Sequence, residues 1–334
     1  MKSIARCLCL TGIVLATGSL QVAVAETRME VIRLDPALDA VIAPDTQVER
    51  VATGFKFTEG PMWREGRLWF SDLPQDNVRA VTPRGQVEVL IEHSGGVKNP
   101  PPGAYLGSNA MVTDKDGSVL LAQQGGRKIM RVDSHLTMHP FLETYLGKKL
   151  NSPNDLVFAP DGSLWFTDPS FGLMAGDKDP AKELPFNGVF RYAGGKLTAV
   201  IEDLPLPNGI GFSPDGKTLY VSNFGPAMYV KAYDVAANGA VSNARMFIEY
   251  PPGTPGKGGP DGLKVDTAGN VWATGPGGIR IITPRGKVLG QIALPEVAAN
   301  LGFADEGSTV YITASTSIYR IKAAIPGELP LYRR

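Results

Sequence analysis

Residues 154–168 read NDLVFAPDGSLWFTD. Leu156-Val157-Phe158 is a short apolar run, Ala159 to Gly162 is a turn, and Ser163 to Thr167 is a second run. An Asp-Gly pair between two such runs signals a hairpin, because glycine accepts the positive φ of a tight turn. The phrase recurs five times: EGPMWREGRLWFSD from Glu59, NAMVTDKDGSVLLA from Asn109, NGIGFSPDGKTLYVSN from Asn208, DGLKVDTAGNVWAT from Asp261 and NLGFADEGSTVYIT from Asn300. In all six copies the turn glycine (Gly66, Gly117, Gly162, Gly216, Gly269, Gly307) follows the first residue by seven or eight positions.

The first residues lie 50, 45, 54, 53 and 39 positions apart. Repeats of this period with strand-turn-strand content predict one propeller blade each. A lone four-stranded sheet cannot bury both faces, whereas six sheets set radially cover one another. The sequence therefore predicts an all-β, six-bladed β-propeller, with Val189–Tyr192 and Ile279–Ile282 among the outer strands. No amphipathic segment is long enough for a second, helical layer. Residues 28–42 are expected to cross to the last blade and close the ring by strand pairing, since open edges invite aggregation.

Composition narrows the function classes. The chain has 334 residues with 33 Lys+Arg against 33 Asp+Glu, so no basic excess argues for nucleic acid. Residues 1–25 read as a cleaved export signal: Lys2 and Arg6, an apolar stretch from Leu8 to Leu20, then Ala23-Val24-Ala25. Its removal leaves 31 basic and 33 acidic residues, a net charge of −2. Both cysteines, Cys7 and Cys9, go with it, leaving neither a disulfide nor a thiolate. The expectation is one propeller over residues 26–334, exported and periplasmic in a Gram-negative source. No later segment is apolar enough to anchor it in a membrane. Oligomeric state is left open.

The first residues of the six phrases carry the chemistry. Inner strands begin near the central channel, so Glu59, Asn109, Asn154, Asn208, Asp261 and Asn300 should share one space at one end of it. All six side chains carry oxygen, two are carboxylates, and none is His or Cys. Hard divalent cations take such ligands. The ring thus reads as a central metal-binding channel for one cation, calcium first and zinc, manganese or magnesium as alternatives. Asn and Asp also cap turns, and that reading competes at each single position. His93, His135 and His139 lack any zinc-binding context, and there is no G-x-S-x-G nucleophile elbow. Two rim loops, 93–106 and 171–187, are placed over the channel mouth. Trp63, Tyr105, Phe171 and Phe224 are candidate apolar walls for a substrate ring.

The stretches YLGKKLNSPNDLVFAPDGSLWFTDPSFG (145–172), LPNGIGFSPDGKTLYVSN (206–223) and GPDGLKVDTAGNVWATGPGGI (259–279) carry a resemblance, supported by TEGPMW (58–63) and VYITASTSIYRI (310–321). Over residues 48–322 the chain resembles the SMP-30/gluconolactonase/luciferin-regenerating-enzyme family, and within it the bacterial gluconolactonase branch. The resemblance implies a divalent cation held by Glu59, Asn208 and Asp261, with Asn154 ligating it or touching substrate. It also implies hydrolysis of a small sugar lactone such as glucono-1,5-lactone. Ser152 stands where animal members carry an Arg that touches the sugar.

On this reading the cation polarises the lactone carbonyl and a carboxylate takes the proton of the attacking water. Asp261 is the first candidate base and Asp155 the second, with Asp155 alternatively a buried carboxylate satisfied by backbone N–H groups. Asn109, Asn154, Ser152, Asn300 and Phe171 are the expected substrate contacts. Two alternatives stand beside the lactonase: a phosphotriesterase or other esterase with the same kind of ring, and a propeller that only binds a sugar or partner.

Overall fold

The hairpin phrase builds the same local structure six times. In the third copy Gly162 sits at φ 79°. Its N–H bonds Ala159 O at 2.9 Å, and Asp161 Oδ1 accepts from Ser163 N at 2.9 Å. Positive φ costs an L-residue with a Cβ energy that glycine avoids, which explains the glycine in every copy. The structure, a computed structural model, describes residues 29–333. The expected export signal with Cys7 and Cys9 lies outside them.

Each phrase supplies the two inner strands of a blade. The innermost strands are Thr58–Arg64, Met111–Thr113, Leu156–Phe158, Pro207–Phe212, Leu263–Val265 and Ala298–Ala304. In the first five blades the chain meanders outward through four antiparallel strands in sequence order. Six such sheets make a β-propeller. Among the described residues the helical elements are three short 3-10 turns, and no helix is long and apolar enough to cross a membrane.

Cohesion comes from blade faces pressed on one another. Met62, Trp69 and Val78 of the first blade pack with Met111, Leu121 and Met130 of the second. Trp165 of the third blade meets Phe212 of the fourth edge-on at 5.3 Å, and Trp272 of the fifth meets Phe303 of the sixth at 5.9 Å. Each fully buried Leu, Ile, Val or Phe contributes roughly 1.5–3 kcal/mol.

Ring closure differs from the expectation. The sixth blade is completed by Glu49–Thr53, which pairs with the outer strand Ser317–Lys322 in the register Glu49↔Arg320 and Thr53↔Ser317. The earlier segment does not reach that blade's edge. Glu30–Arg33 instead adds a fifth strand to the fifth blade, Val31 opposite Ile292. Pro36 then ends the extended chain, because it lacks the N–H a ladder needs. A 3-10 turn over Pro36–Ala40 follows, capped by Asp35, whose carboxylate accepts from Ala37 N at 2.9 Å. That turn buries Leu38, Val41 and Ile42 among fifth- and sixth-blade residues. The N-terminal segment therefore staples two blades before the closing strand begins.

Candidate active site: an oxygen ring at one end of the channel

All six first residues come together, each at most 9% exposed. Asn300 Nδ2 donates to Glu59 Oε2 at 3.0 Å, and Glu59 Oε2 also accepts from Gly60 N. Asn109 Nδ2 donates to Gln124 Oε1 at 2.9 Å, and Asn154 Nδ2 reaches the same oxygen at 3.5 Å. Neighbouring inner strands touch through their backbones: Ala110 N bonds Asn154 O at 3.1 Å and Gly209 N bonds Asp261 O at 3.0 Å.

Two features of sequence let the strands approach so closely. The residue after the ring position is Gly60, Gly209 or Gly262 in three blades. A Cβ on Gly209 would lie 2.3 Å from Asp261 O, and one on Gly262 would lie 2.0 Å from Asn300 Oδ1. Second, a hydroxyl on the second strand of most blades ties down a ring backbone. Ser71 Oγ bonds Asn109 O at 2.8 Å, Thr167 Oγ1 bonds Asn208 O at 2.6 Å, and Ser222 Oγ bonds Asp261 O at 2.5 Å. Asp261 N donates to Thr274 Oγ1 at 2.7 Å, and Thr313 Oγ1 to Asn300 O at 3.2 Å.

The electrostatics of the ring are unbalanced. Burial pushes the Glu59 carboxyl up, against the Gly60 N–H, and the charge of Asp155 adds to the push. Asp261 is raised well above the ordinary carboxylate range, first by burial and then by the charge of Glu59. Both carboxyls are thus raised chiefly by burial, and carboxylates so buried favour a proton or a cation beside them. Asn109 Oδ1, Asn208 Oδ1 and Asp261 Oδ1 are buried and make no hydrogen bond among the described residues. Buried polar atoms are rarely left so, which marks a position for a ligand. No group of three His, Cys, Asp or Glu side chains is arranged for a metal among the described residues. The oxygens here come equally from amides, and that mixture suits a hard cation. The residues present thus fit one divalent ion.

A family model described as the SMP-30/Gluconolactonase/LRE-like region matches residues 57–316. The chain belongs to this family. A gluconolactonase of Zymomonas mobilis is 35% identical over 331 residues, covering 94% of this chain and 92% of its own. A pentonolactonase of Haloferax volcanii is 29% identical, covering 67% of this chain and 68% of its own. The solved gluconolactonase of Xanthomonas campestris superposes with a TM-score of 0.77 at 30% identity, covering 89% of this chain and 96% of that one.

Within this family member several expected roles change. Ser152 is fully buried. Its hydroxyl donates to Pro169 O at 2.5 Å and accepts from Gly172 N at 2.8 Å. It anchors the loop that carries Phe171 and has no surface to offer a substrate. Asp155 is also buried: Leu156 N (2.9 Å), Ile210 N (3.4 Å) and the ammonium of Lys264 (3.3 Å) all reach its carboxylate. Trp63 leaves the list of mouth walls. It stacks on Tyr311 at 5.4 Å and lines a cavity of about 250 Å³ at the far end of the channel. Phe171 does meet Phe224 edge-on at 6.3 Å, and Tyr105 meets Phe57 at 5.1 Å. His139 pairs with Asp133 at 3.0 Å and is exposed, away from the ring.

Two further groups shape the ring. Gln124 bridges Asn109 and Asn154 and donates to Tyr105 O at 2.7 Å. It lies two residues beyond its phrase, where no repeat column points to it. The Ser/Thr column of Ser71, Thr167, Ser222, Thr274 and Thr313 was legible: these hydroxyls hold one place in five of the six phrases, and Ala122 fills it in the second.

Proposed function

We propose that this protein is a metal-dependent lactonase that hydrolyses a sugar lactone of the glucono-1,5-lactone type to its aldonic acid. The observation that carries the reading is the pair of unpartnered buried oxygens, Asn208 Oδ1 and Asp261 Oδ1, beside the Glu59 and Asp261 carboxyls, both raised chiefly by burial. Gluconolactonase and pentonolactonase relatives supply the substrate class.

Glu59, Asn154, Asn208 and Asp261 would hold one divalent cation, calcium by preference because every donor is a hard oxygen. When bound, such an ion supplies Lewis-acid polarisation of the lactone carbonyl. Asp261 is the base of choice, doubling as a ligand: its carboxylate stands in the ring, and its Oδ1 makes no hydrogen bond among the described residues. It takes the proton of the attacking water and returns it to the ring oxygen, which departs as an alcohol. Asp155, engaged by Lys264 and two backbone amides, holds its place beneath the ring. Asn109, fixed by Gln124, turns an unpaired carbonyl oxygen toward a substrate hydroxyl. Phe171 and Phe224 wall the mouth above.

The test is glucono-1,5-lactone hydrolysis by the protein after chelation and after adding back calcium, zinc, manganese or magnesium, with spontaneous opening subtracted. The expected result is loss of turnover on chelation and recovery with one ion. Folded, metal-loaded protein that turns over no member of a lactone panel, yet cleaves a phosphotriester, would replace the lactonase by an esterase of the second kind.

A further inference from the structure

Lys264 lies three residues after Asp261, on the innermost strand of the fifth blade. Its side chain is 26% exposed and lines the cavity at the far end of the channel. The ammonium is seated just below the ring, 3.3 Å from Asp155 Oδ2, 3.0 Å from Leu263 O and 3.4 Å from Asn300 Oδ1. A lysine ammonium has three protons and no lone pair, and these three oxygens use all three.

One of them matters beyond local satisfaction. Asn300 Oδ1 accepts from both Lys264 Nζ and Leu301 N, the latter at 2.9 Å. With its oxygen so fixed, the amide must turn its NH2 the other way, and there it donates to Glu59 Oε2 at 3.0 Å. The flipped amide would set its NH2 against an ammonium and a backbone N–H, and its carbonyl against a carboxylate. Lys264 and Leu301 N together set which end of Asn300 faces the ring.

The charge count points the same way. Three buried carboxylates meet here: Glu59, Asp261 and Asp155. A divalent cation neutralises two. Lys264 is paired with the third at 3.3 Å.

We propose that Lys264 is a positioning residue for the cation site, acting through the Asn300 amide to present Glu59 in the orientation that binds the ion. This rests on the metal-dependent reading above, but not on the lactone as substrate. An outer partner of this kind typically governs metal affinity by about 10- to 100-fold.

The test is calorimetric binding of calcium and manganese to the chelated protein, with Lys264→Met, Asn300→Ala and the double variant. Each single variant should weaken binding about tenfold. The double variant should be no weaker than the weaker single, since both changes break one relay. Lys264→Gln keeps a donor without the charge and should restore part of the loss. In the cation-free wild type the Asn300 side-chain NH2, assigned by its disappearance in Asn300→Asp, should exchange slowly. In Lys264→Met it should exchange fast.

Unchanged or tighter cation binding in Lys264→Met would overturn the proposal, since a charge that merely opposed the ion would give that result. Fully additive losses would overturn it too. So would an Asn300 NH2 equally protected with and without the ammonium, and that readout decides the matter even if the first variant proves unstable and Lys264→Gln takes its place. Cation affinities that follow this pattern in a protein inert toward lactones would uphold the relay and count against the lactonase.

Discussion

The same six inner strands line both ends of the central channel, and the two ends have opposite chemistry. At the mouth end the first residue of each phrase, at or just before the strand's start, is polar, buried, and in three cases holds an oxygen with no partner among the described residues. At the far end the later residues of those strands, among them Met62, Val112, Val157, Phe212 and Phe303, enclose a largely apolar space. The C-terminal segment covers that space: Glu328 N bonds Val265 O at 2.9 Å, and Tyr332 packs edge-on against Phe158 at 4.9 Å. One strand therefore does two jobs. Its beginning is left under-satisfied to hold something, and its end is packed for stability. Unsatisfied buried groups cost energy, and a protein keeps them where a ligand repays it.

The contrast predicts which end tolerates change. Asp261→Ala should abolish measurable cation binding and lower kcat by about a thousandfold or more, as loss of a charge-stabilising group at a reaction centre does. Calorimetry and lactone hydrolysis measured together check this, and near-normal turnover would remove Asp261 from the reaction.

The next effect is on stability with pH. In the cation-free protein the Glu59 and Asp261 carboxyls titrate above their unfolded values of 4.5 and 3.8. Their contribution is fully present below those values. It is lost as pH rises through the folded ones, because the unfolded chain ionises first. Cation-free protein should therefore lose stability from about pH 4 toward neutrality through these groups, and saturating calcium should reverse the loss. Denaturant titrations at several pH values with and without the ion, compared with Asp261→Asn, isolate the term. A slope unaffected by either would contradict it.

Gly209→Ala places a methyl against Asp261 O, so it should destabilise by about 1–3 kcal/mol and weaken the ion as the strands part. Thermal unfolding and cation affinity should move together. At the far end Tyr332→Ala should cost only about 1 kcal/mol of stability from one lost ring contact, with turnover within about twofold of wild type. A large loss of turnover there would erase the distinction between the two ends.

The blades were legible because one hairpin phrase repeats with its turn glycine seven or eight positions after the first residue. The ring was legible for the same reason, since the first residue of a repeated phrase repeats its position in space. What repeats poorly was missed. The closing strand Glu49–Thr53 is short and reads ERVAT, mostly exposed, with no turn phrase beside it. The more apolar segment before it drew the closing role and proved to be a staple. Ser152 lies two residues before Asn154, and nothing in sequence says that its hydroxyl turns inward to Pro169 and Gly172. Trp63 has the composition of a ring-binding wall, but five residues of strand carry it from the mouth to the far end. Lys264 reads as an exposed polar residue of an alternating strand, and only packing shows three oxygens around its ammonium.

The proposed function requires the six-residue ring to hold one divalent cation through Glu59, Asn154, Asn208 and Asp261. Anomalous diffraction from crystals soaked in manganese tests it most directly. One strong peak is expected at the mouth end, in contact with Asn208 Oδ1 and Asp261 Oδ1. Fully loaded crystals with an empty ring and a peak elsewhere would contradict it.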